Sequence, residues 1–207
     1  MEKFKLKSVC VVLFGSMLAT SALMASVSRP SWKLNLDQGN GSVEFTAIGR
    51  PAALKIHGKG PAPQGYFTTD GAHFEGLVHF KMDSLVTGLA TRDHHMKEKY
   101  LEIEKFPEAT LQISSLKFPE PLSTANFKWS NIPFEGPLTL HGKTLPVHGT
   151  VSLERAGDQM LVESRFGLKI SDYAIEIPSF AGITVANEVQ VEVHAQSPWI
   201  AMAGKEK

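Results

Sequence analysis

Cysteine is all but missing: Cys10 is the single one in 207 residues, so neither an intramolecular disulfide nor a multi-thiolate metal site can form. An excess of charge is missing too, with 21 Lys and Arg balanced by 21 Asp and Glu. A chain that wraps phosphates carries a basic face, and no Lys/Arg cluster stands out here, so nucleic acid is excluded as the expected partner. No G-x-S-x-G elbow, P-loop, dinucleotide fingerprint or H-E-x-x-H occurs, which removes the common hydrolase, nucleotide and zinc-protease readings. No internal repeat, coiled-coil heptad or low-complexity segment divides the chain. Long apolar runs are scarce as well, and the one that exists, Val9–Met24, follows Lys3, Lys5 and Lys7.

That charged start and apolar run make residues 1–25 a secretory signal expected to be removed after Ala25, with Ser28 as the alternative cut. It is shorter than the roughly 20 apolar residues of a spanning helix and contains Gly15, Ser16, Thr20 and Ser21. Cys10 precedes most of the run instead of ending it, which argues against a lipid anchor. Taking Lys3, Lys5, Lys7 and Glu2 from the 21 basic and 21 acidic residues leaves 18 and 20, and no cysteine. Residues 26–207 are expected to form a single domain in the periplasm, held by its core alone and not spanning the membrane after processing.

What is present is period-two alternation from one end to the other. Trp32, Leu34 and Leu36 alternate with polar positions, Asn40-Gly41 reads as a turn, and Val43, Phe45 and Ala47 follow. Phe74, Val78, Phe80 and Met82 share one parity against Glu75, His79, Lys81 and Asp83. Ala109, Leu111 and Ile113 repeat the pattern, then Leu138 and Leu140, then Leu145, Val147, Val151 and Leu153. Val162, Phe166, Leu168 and Ile170 oppose Glu163, Arg165 and Lys169, and Val189, Val191 and Val193 oppose Gln190, Glu192 and His194. About eight strands punctuated by Gly, Pro and Asn predict an all-β antiparallel meander. Closing it into a barrel removes its edges, with a sandwich as the alternative. One short helix is expected near Arg92-Asp93, ending before Pro107, with Met96, Tyr100 and Leu101 on one side. The apolar parity either fills a solid core or lines an elongated cavity; a small barrel can do both.

Four blocks carry a resemblance. Thr87-Gly88, Arg92-Asp93-x-His95-Met96, Tyr100-Leu101-Glu102 and Lys105-Phe106-Pro107 form the first, and Gly136-x-Leu138-Thr139-Leu140-His141-Gly142-Lys143-Thr144-x-Pro146-Val147 the second. Ser171-Asp172-Tyr173-x-Ile175 and Val185-Ala186-x-Glu188-Val189 complete the set. In that order, over Trp32–His194, the chain resembles the YceI-like family of secreted, lipocalin-like lipid-binding proteins. The resemblance implies a barrel that carries or sequesters an isoprenoid, quinone-like or fatty lipid, with no other cofactor. The expected lining is Phe45, then Phe74, Val78, Phe80 and Met82, then Met96 and Tyr100 of the helix. Leu111, Ile113, Leu140, Val147, Phe166, Leu168 and Val191 complete it. The expected partner is thus a hydrophobic small molecule, with a homodimer as the one protein partner considered. Tyr173-Ala174 departs from the family's usual Phe-Gly, and Gly58–Gly65 reads as an unusual connection between early strands.

Arg92, Asp93 and His95 are the head-group candidates. An Arg at the tunnel mouth would meet a phosphate, quinone oxygen or carboxylate. The structural reading has Asp93 cap the helix, worth about 1 kcal/mol, Arg92 pin the loop to a neighbouring strand, and His95 bond a backbone carbonyl. Asp93 with His95 is also the only acid/base pair that would serve an enzyme acting on a lipid head, and no catalytic residue is expected. For metals, His94 and His95 are adjacent and point apart on a helix. His94 with Glu98 or His141 with His148 gives two ligands where three must converge, so no metal is expected. Glu98, Glu102 and Glu104 read as solvated members of a mixed-charge helix.

Overall fold

The computed structural model describes residues 31–38, 40–50, 55–69, 74–113, 116–120, 126–180 and 183–202. The expected signal, residues 1–25, lies outside them. Eleven strands run in chain order: β1 Ser31–Asn35, β2 Asn40–Arg50, β3 Lys55–Pro61, β4 Gln64–Thr69, β5 Phe74–Lys81, β6 Glu108–Ile113, β7 Phe127–Leu140, β8 Lys143–Ala156, β9 Gln159–Lys169, β10 Ser179–Phe180 and β11 Ile183–Met202. Neighbours pair antiparallel in the order β1-β4-β5-β6-β7-β8-β9-β11, and β11 pairs back onto β1, Leu34 opposite Trp199, so eight strands close a barrel. The extra pair, β2 and β3, extends the wall beside the first half of β11.

Closure rests on a bent first strand. β1 and β2 follow one another along β11 but are broken by a 3-10 turn, Leu36–Gln38. The expected turn at Asn40-Gly41 is therefore displaced: both residues are already paired, opposite Gln196 and Ala195. Glycine is needed at position 41, where an added Cβ would stand 1.9 Å from the His194 carbonyl oxygen. Gly58–Gly65, expected as a connection between early strands, holds that connection only at Ala62-Pro63; the rest is strand, the last four residues of β3 and the first two of β4. Its glycines make room for aromatic rings, since a Cβ on Gly58 would fall 2.0 Å from the Phe45 ring and one on Gly60 2.6 Å from Phe80.

β7 and β8 join through His141-Gly142, both at positive φ (49° and 73°), the two-residue turn whose twist matches that of the strands. One barrel end carries this turn together with the helix and the termini of β5 and β9. The helix, α1, spans Ala90–His95 and continues into a π-helical turn, Met96–Tyr100, with Leu101 donating to the Met96 carbonyl. The opposite, far end carries the ends of β4 and β6, the starts of β5 and β7, and the β8–β9 turn at Gly157. The core is continuous inside the wall and includes Leu34, Phe67, Phe134, Val151, Phe166 and Tyr173, all buried. Outside, Lys59–Glu44 (3.1 Å), Lys128–Glu154 (2.7 Å) and Arg165–Glu192 (3.5 Å) pair across strands. Such exposed pairs add at most about 1 kcal/mol each and chiefly make the outer parity polar. Among the described residues no helix is long and apolar enough to cross a membrane.

Candidate functional site

All fourteen expected lining residues lie in or against the interior apolar cluster. Met82, Ile113, Leu140, Val147 and Phe166 are buried, and Phe45, Phe74, Val78, Phe80, Met96, Tyr100, Leu111, Leu168 and Val191 pack against them. They do not share one space. The apolar cavity of about 40 Å³ sits at the far end, and of the fourteen only Phe74 and Ile113 line it. Its other walls include Leu34, Phe67, Leu116, Phe118, Met160 and Trp199, and almost no polar surface faces it. A water needs roughly 10–15 Å³ of such space, so this cavity has the size of a few water molecules.

An aromatic arch covers that cavity. Phe67 stacks on Phe74 (5.1 Å between ring centres), Phe74 meets Phe118 edge-on (5.6 Å), and Phe118, Trp129 and Phe127 follow at 5.2 and 4.2 Å. Aromatic pairs at these spacings add about 0.5–1.5 kcal/mol each beyond burial. Leu116 and Phe118, in the segment after β6, escaped the sequence reading because no period-two run surrounds them. Trp199 continues the odd parity of Val189, Val191 and Val193, a signal that was there to follow.

At the helix end the contacts are polar. Arg92 Nε donates to Thr87 Oγ1 (2.6 Å) and its Nη2 to the Thr87 carbonyl (2.7 Å), while Asp93 Oδ1 accepts from the Thr87 amide (2.7 Å) and hydroxyl (2.5 Å). Three structural expectations are corrected here. The helix starts at Ala90, ahead of Arg92-Asp93. Asp93 is not its N-cap: that position is Leu89, with no side-chain cap, because Asp93 is spent on closing the loop at Thr87. Arg92 pins the same loop, not a neighbouring strand. Partial burial pushes the Asp93 carboxyl up, yet the two Thr87 hydrogen bonds, with Lys97 and Arg92, outweigh it and hold it below its ordinary value. His95 is exposed and makes no carbonyl hydrogen bond among the described residues; its neighbour His94 bonds Glu98 at 2.9 Å. Arg92 and Asp93 meet at Thr87, and His95 stands apart, so the acid/base pair is not assembled.

Glu102, expected to be a solvated helix residue, instead follows the helix at φ 43° and meets His141 Nε2 at 3.0 Å, while His141 Nδ1 lies 3.0 Å from the Tyr173 carbonyl. The imidazole is only 8% exposed and lies against the Phe106 ring at 4.4 Å, so one buried ring ties helix segment, β7–β8 turn and β9 end together. A hydrogen bond from Lys105, ahead of a smaller upward push from desolvation and a contribution from His141, holds the Glu102 carboxyl below its ordinary value. His148 faces Glu135 on the outside, so it does not converge with His141. No group of three metal-ligating side chains occurs among the described residues.

The second opening is a cleft of about 330 Å³ in the wall between β8 and β9, lined by Leu145, Pro146, Val147, Gly167, Leu168, Lys169, Asp172, Tyr173, Glu188 and Gln190. The β8–β9 ladder runs from Ala156↔Gln159 only to Gly149↔Phe166, although both strands continue. Pro146 stands opposite Pro137 of β7, and two prolines facing each other must form a non-hydrogen-bonded pair. Pro146 therefore turns its carbonyl, and no N–H, toward β9, where the register would place Lys169. A 3-10 turn, Ile170–Tyr173, then carries the chain away from β8, while Val185–Val189 of the same sequence block lies in β11.

A model of the YceI-like domain matches residues 34–197. The fold is similar to that of a polyisoprenoid binding domain from Saccharophagus degradans implicated in plant cell wall breakdown, at 15% identity and a TM-score of 0.61, over 81% of this chain and 97% of that one. It is also similar to that of BcnA from Burkholderia cenocepacia, at 17% identity and a TM-score of 0.57, over 79% and 98%. No curated protein matches the chain by sequence.

Proposed function

The chain belongs to the YceI-like family, and from that premise we propose that it carries or sequesters a long-chain amphiphile of isoprenoid type by burying the tail inside the barrel. The observation that carries this reading is the wall itself: eight closed strands turn apolar side chains inward around a cavity almost without polar surface. Hydrocarbon gains about 0.8 kcal/mol per methylene removed from water, so such an interior needs few polar contacts to retain a tail. A structural relative described as a polyisoprenoid binding domain supports the same ligand class. At about 40 Å³ the cavity is far smaller than a long tail, so loading displaces interior side chains, Met82 and Met160 being the most adaptable.

The mechanism is reversible burial without chemistry. Asp93 and His95, the residues an enzyme reading would need, are respectively engaged by Thr87 and turned to solvent. We place the work in the periplasm, on the charged start and apolar run of residues 1–25. Organic extraction of the purified protein followed by mass spectrometry tests the reading. A stoichiometric isoprenoid, quinone or fatty lipid is expected; an empty extract from protein that also takes up no added lipid refutes it.

A further inference from the structure

We propose that the cleft between β8 and β9 is a lateral site for the head of an uncharged, oxygen-bearing amphiphile, an alcohol or ring carbonyl, with its tail directed inward past Val147 and Leu168. This rests on the lipid-binding reading and adds where the head sits and what it is. Side chains of a strand alternate between the faces of a sheet. Leu145, Val147 and Leu168 belong to the inward parity, whereas Pro146, Gly167, Lys169, Glu188 and Gln190 belong to the outward one. A single cleft lined by both sets opens in the wall where the β8–β9 ladder stops.

Its polar chemistry is unspent. Tyr173 is 2% exposed and lines the cleft, yet its hydroxyl forms no hydrogen bond among the described residues, nor do the side chains of Lys169, Glu188 and Gln190 form one or an ion pair. The hydroxyl keeps contact with solvent at the cleft and, with no partner among the described residues, is free to bond a ligand oxygen. Burial and the neighbouring Asp172 carboxylate raise the Tyr173 pKa, which keeps the phenol protonated and able to donate. The cleft is lined by one cation, Lys169, and two carboxylates, Asp172 and Glu188, so it holds more negative than positive charge and disfavours a phosphate. Inside, Phe134 and Phe166 meet edge-on, 6.2 Å between ring centres, over Gly149. Phe166 of β9 and Phe134 of β7, opposite Gly149 of β8, stand between the cleft residues Val147 and Leu168 and the cavity residues Val151 and Val162, so a tail passing from one opening to the other must displace them.

The test uses a long polyprenol, the matching prenyl phosphate and the matching hydrocarbon, with wild-type protein and Tyr173→Phe. Wild type is expected to hold the alcohol more tightly than the hydrocarbon, and Tyr173→Phe to lose about tenfold for the alcohol alone, the worth of one neutral hydrogen bond. A polyprenol carrying a diazirine beside its hydroxyl should label the segments 145–147 or 167–173. Phosphate bound more tightly than alcohol, label on 87–95 or on the far-end arch, or equal alcohol affinity in both proteins would overturn the site while leaving the carrier reading intact. Failure of wild type to bind any of the three chains refutes both.

Discussion

The two ends of this barrel are built from the same alternating strands and finished by opposite means. At the far end, stacked rings from Phe67 to Phe127 arch over an apolar cavity of about 40 Å³. At the helix end, Thr87, Arg92, Asp93, Glu102 and His141 tie the helix segment and the β7–β8 turn together with hydrogen bonds, and the wall beside them is split by a cleft of about 330 Å³. Apolar contacts have no direction, so a ring arch closes by filling space. Hydrogen bonds are directional and leave gaps wherever a donor is lost, as at Pro146. The end held by directional polar ties is thus also the end where the wall can be open.

The largest break in this comparison is Phe166→Ala. Removing the ring between the two compartments should cost about 3–5 kcal/mol of unfolding free energy, measured by denaturant titration, as for other buried Phe truncations. The same variant should take up a long-chain lipid faster than wild type, because the path from cleft to cavity is cleared. A loss below about 1 kcal/mol would show that Phe166 does not hold the two compartments apart.

How much of this was legible in the chain follows the same divide. The barrel, its inward parity and the interior place of the apolar candidates on the strands could be read, because alternation is a local signal that survives whatever the strands pair with; Met96 and Tyr100 came from the helical period instead. The division of the interior could not. Whether Phe74 and Phe166 share a space depends on register between strands distant in sequence, and on a connection, Leu116 to Phe118, that carries no period. Asp93 was legible as a structural residue but not in its role, since an N-cap and a loop clasp use the same carboxylate at nearly the same position. Glu102 and Tyr173 were hardest, because each acts through a partner, His141, some 30 or more residues away.

A smaller effect is expected from Asp93→Ala, about 1–2 kcal/mol, since two hydrogen bonds from Thr87 are lost at a partly exposed site. Its pH dependence identifies the cause. The Asp93 carboxyl is depressed in the folded protein, so its contribution is fully present above the ordinary carboxylate value of about 3.9 and is lost as pH falls through the folded value. Unfolding free energies of wild type and variant, compared from pH 7 down, should differ by a constant amount to about pH 4 and converge below it. A difference unchanged at low pH would assign the loss to helix packing instead of the clasp.

The smallest effect has the opposite sign. Ala174 adopts φ 59°, ψ 21° at the end of the 3-10 turn that carries Tyr173, a left-handed conformation that costs an L-residue about 1–2 kcal/mol and glycine nothing. Glycine also widens the unfolded ensemble, which takes back part of the gain. Ala174→Gly should therefore stabilise by about 0.5–1 kcal/mol and raise the thermal midpoint by a few degrees. Its consequence for the cleft is the sharper readout. If relieving the turn leaves Tyr173 where it is, the preference for a polyprenol over the matching hydrocarbon stays at the wild-type level while the midpoint rises. A preference that falls as stability rises would mean that the strained turn is what holds the phenol at the split in the wall, and that the helix end trades stability for its opening where the aromatic end does not.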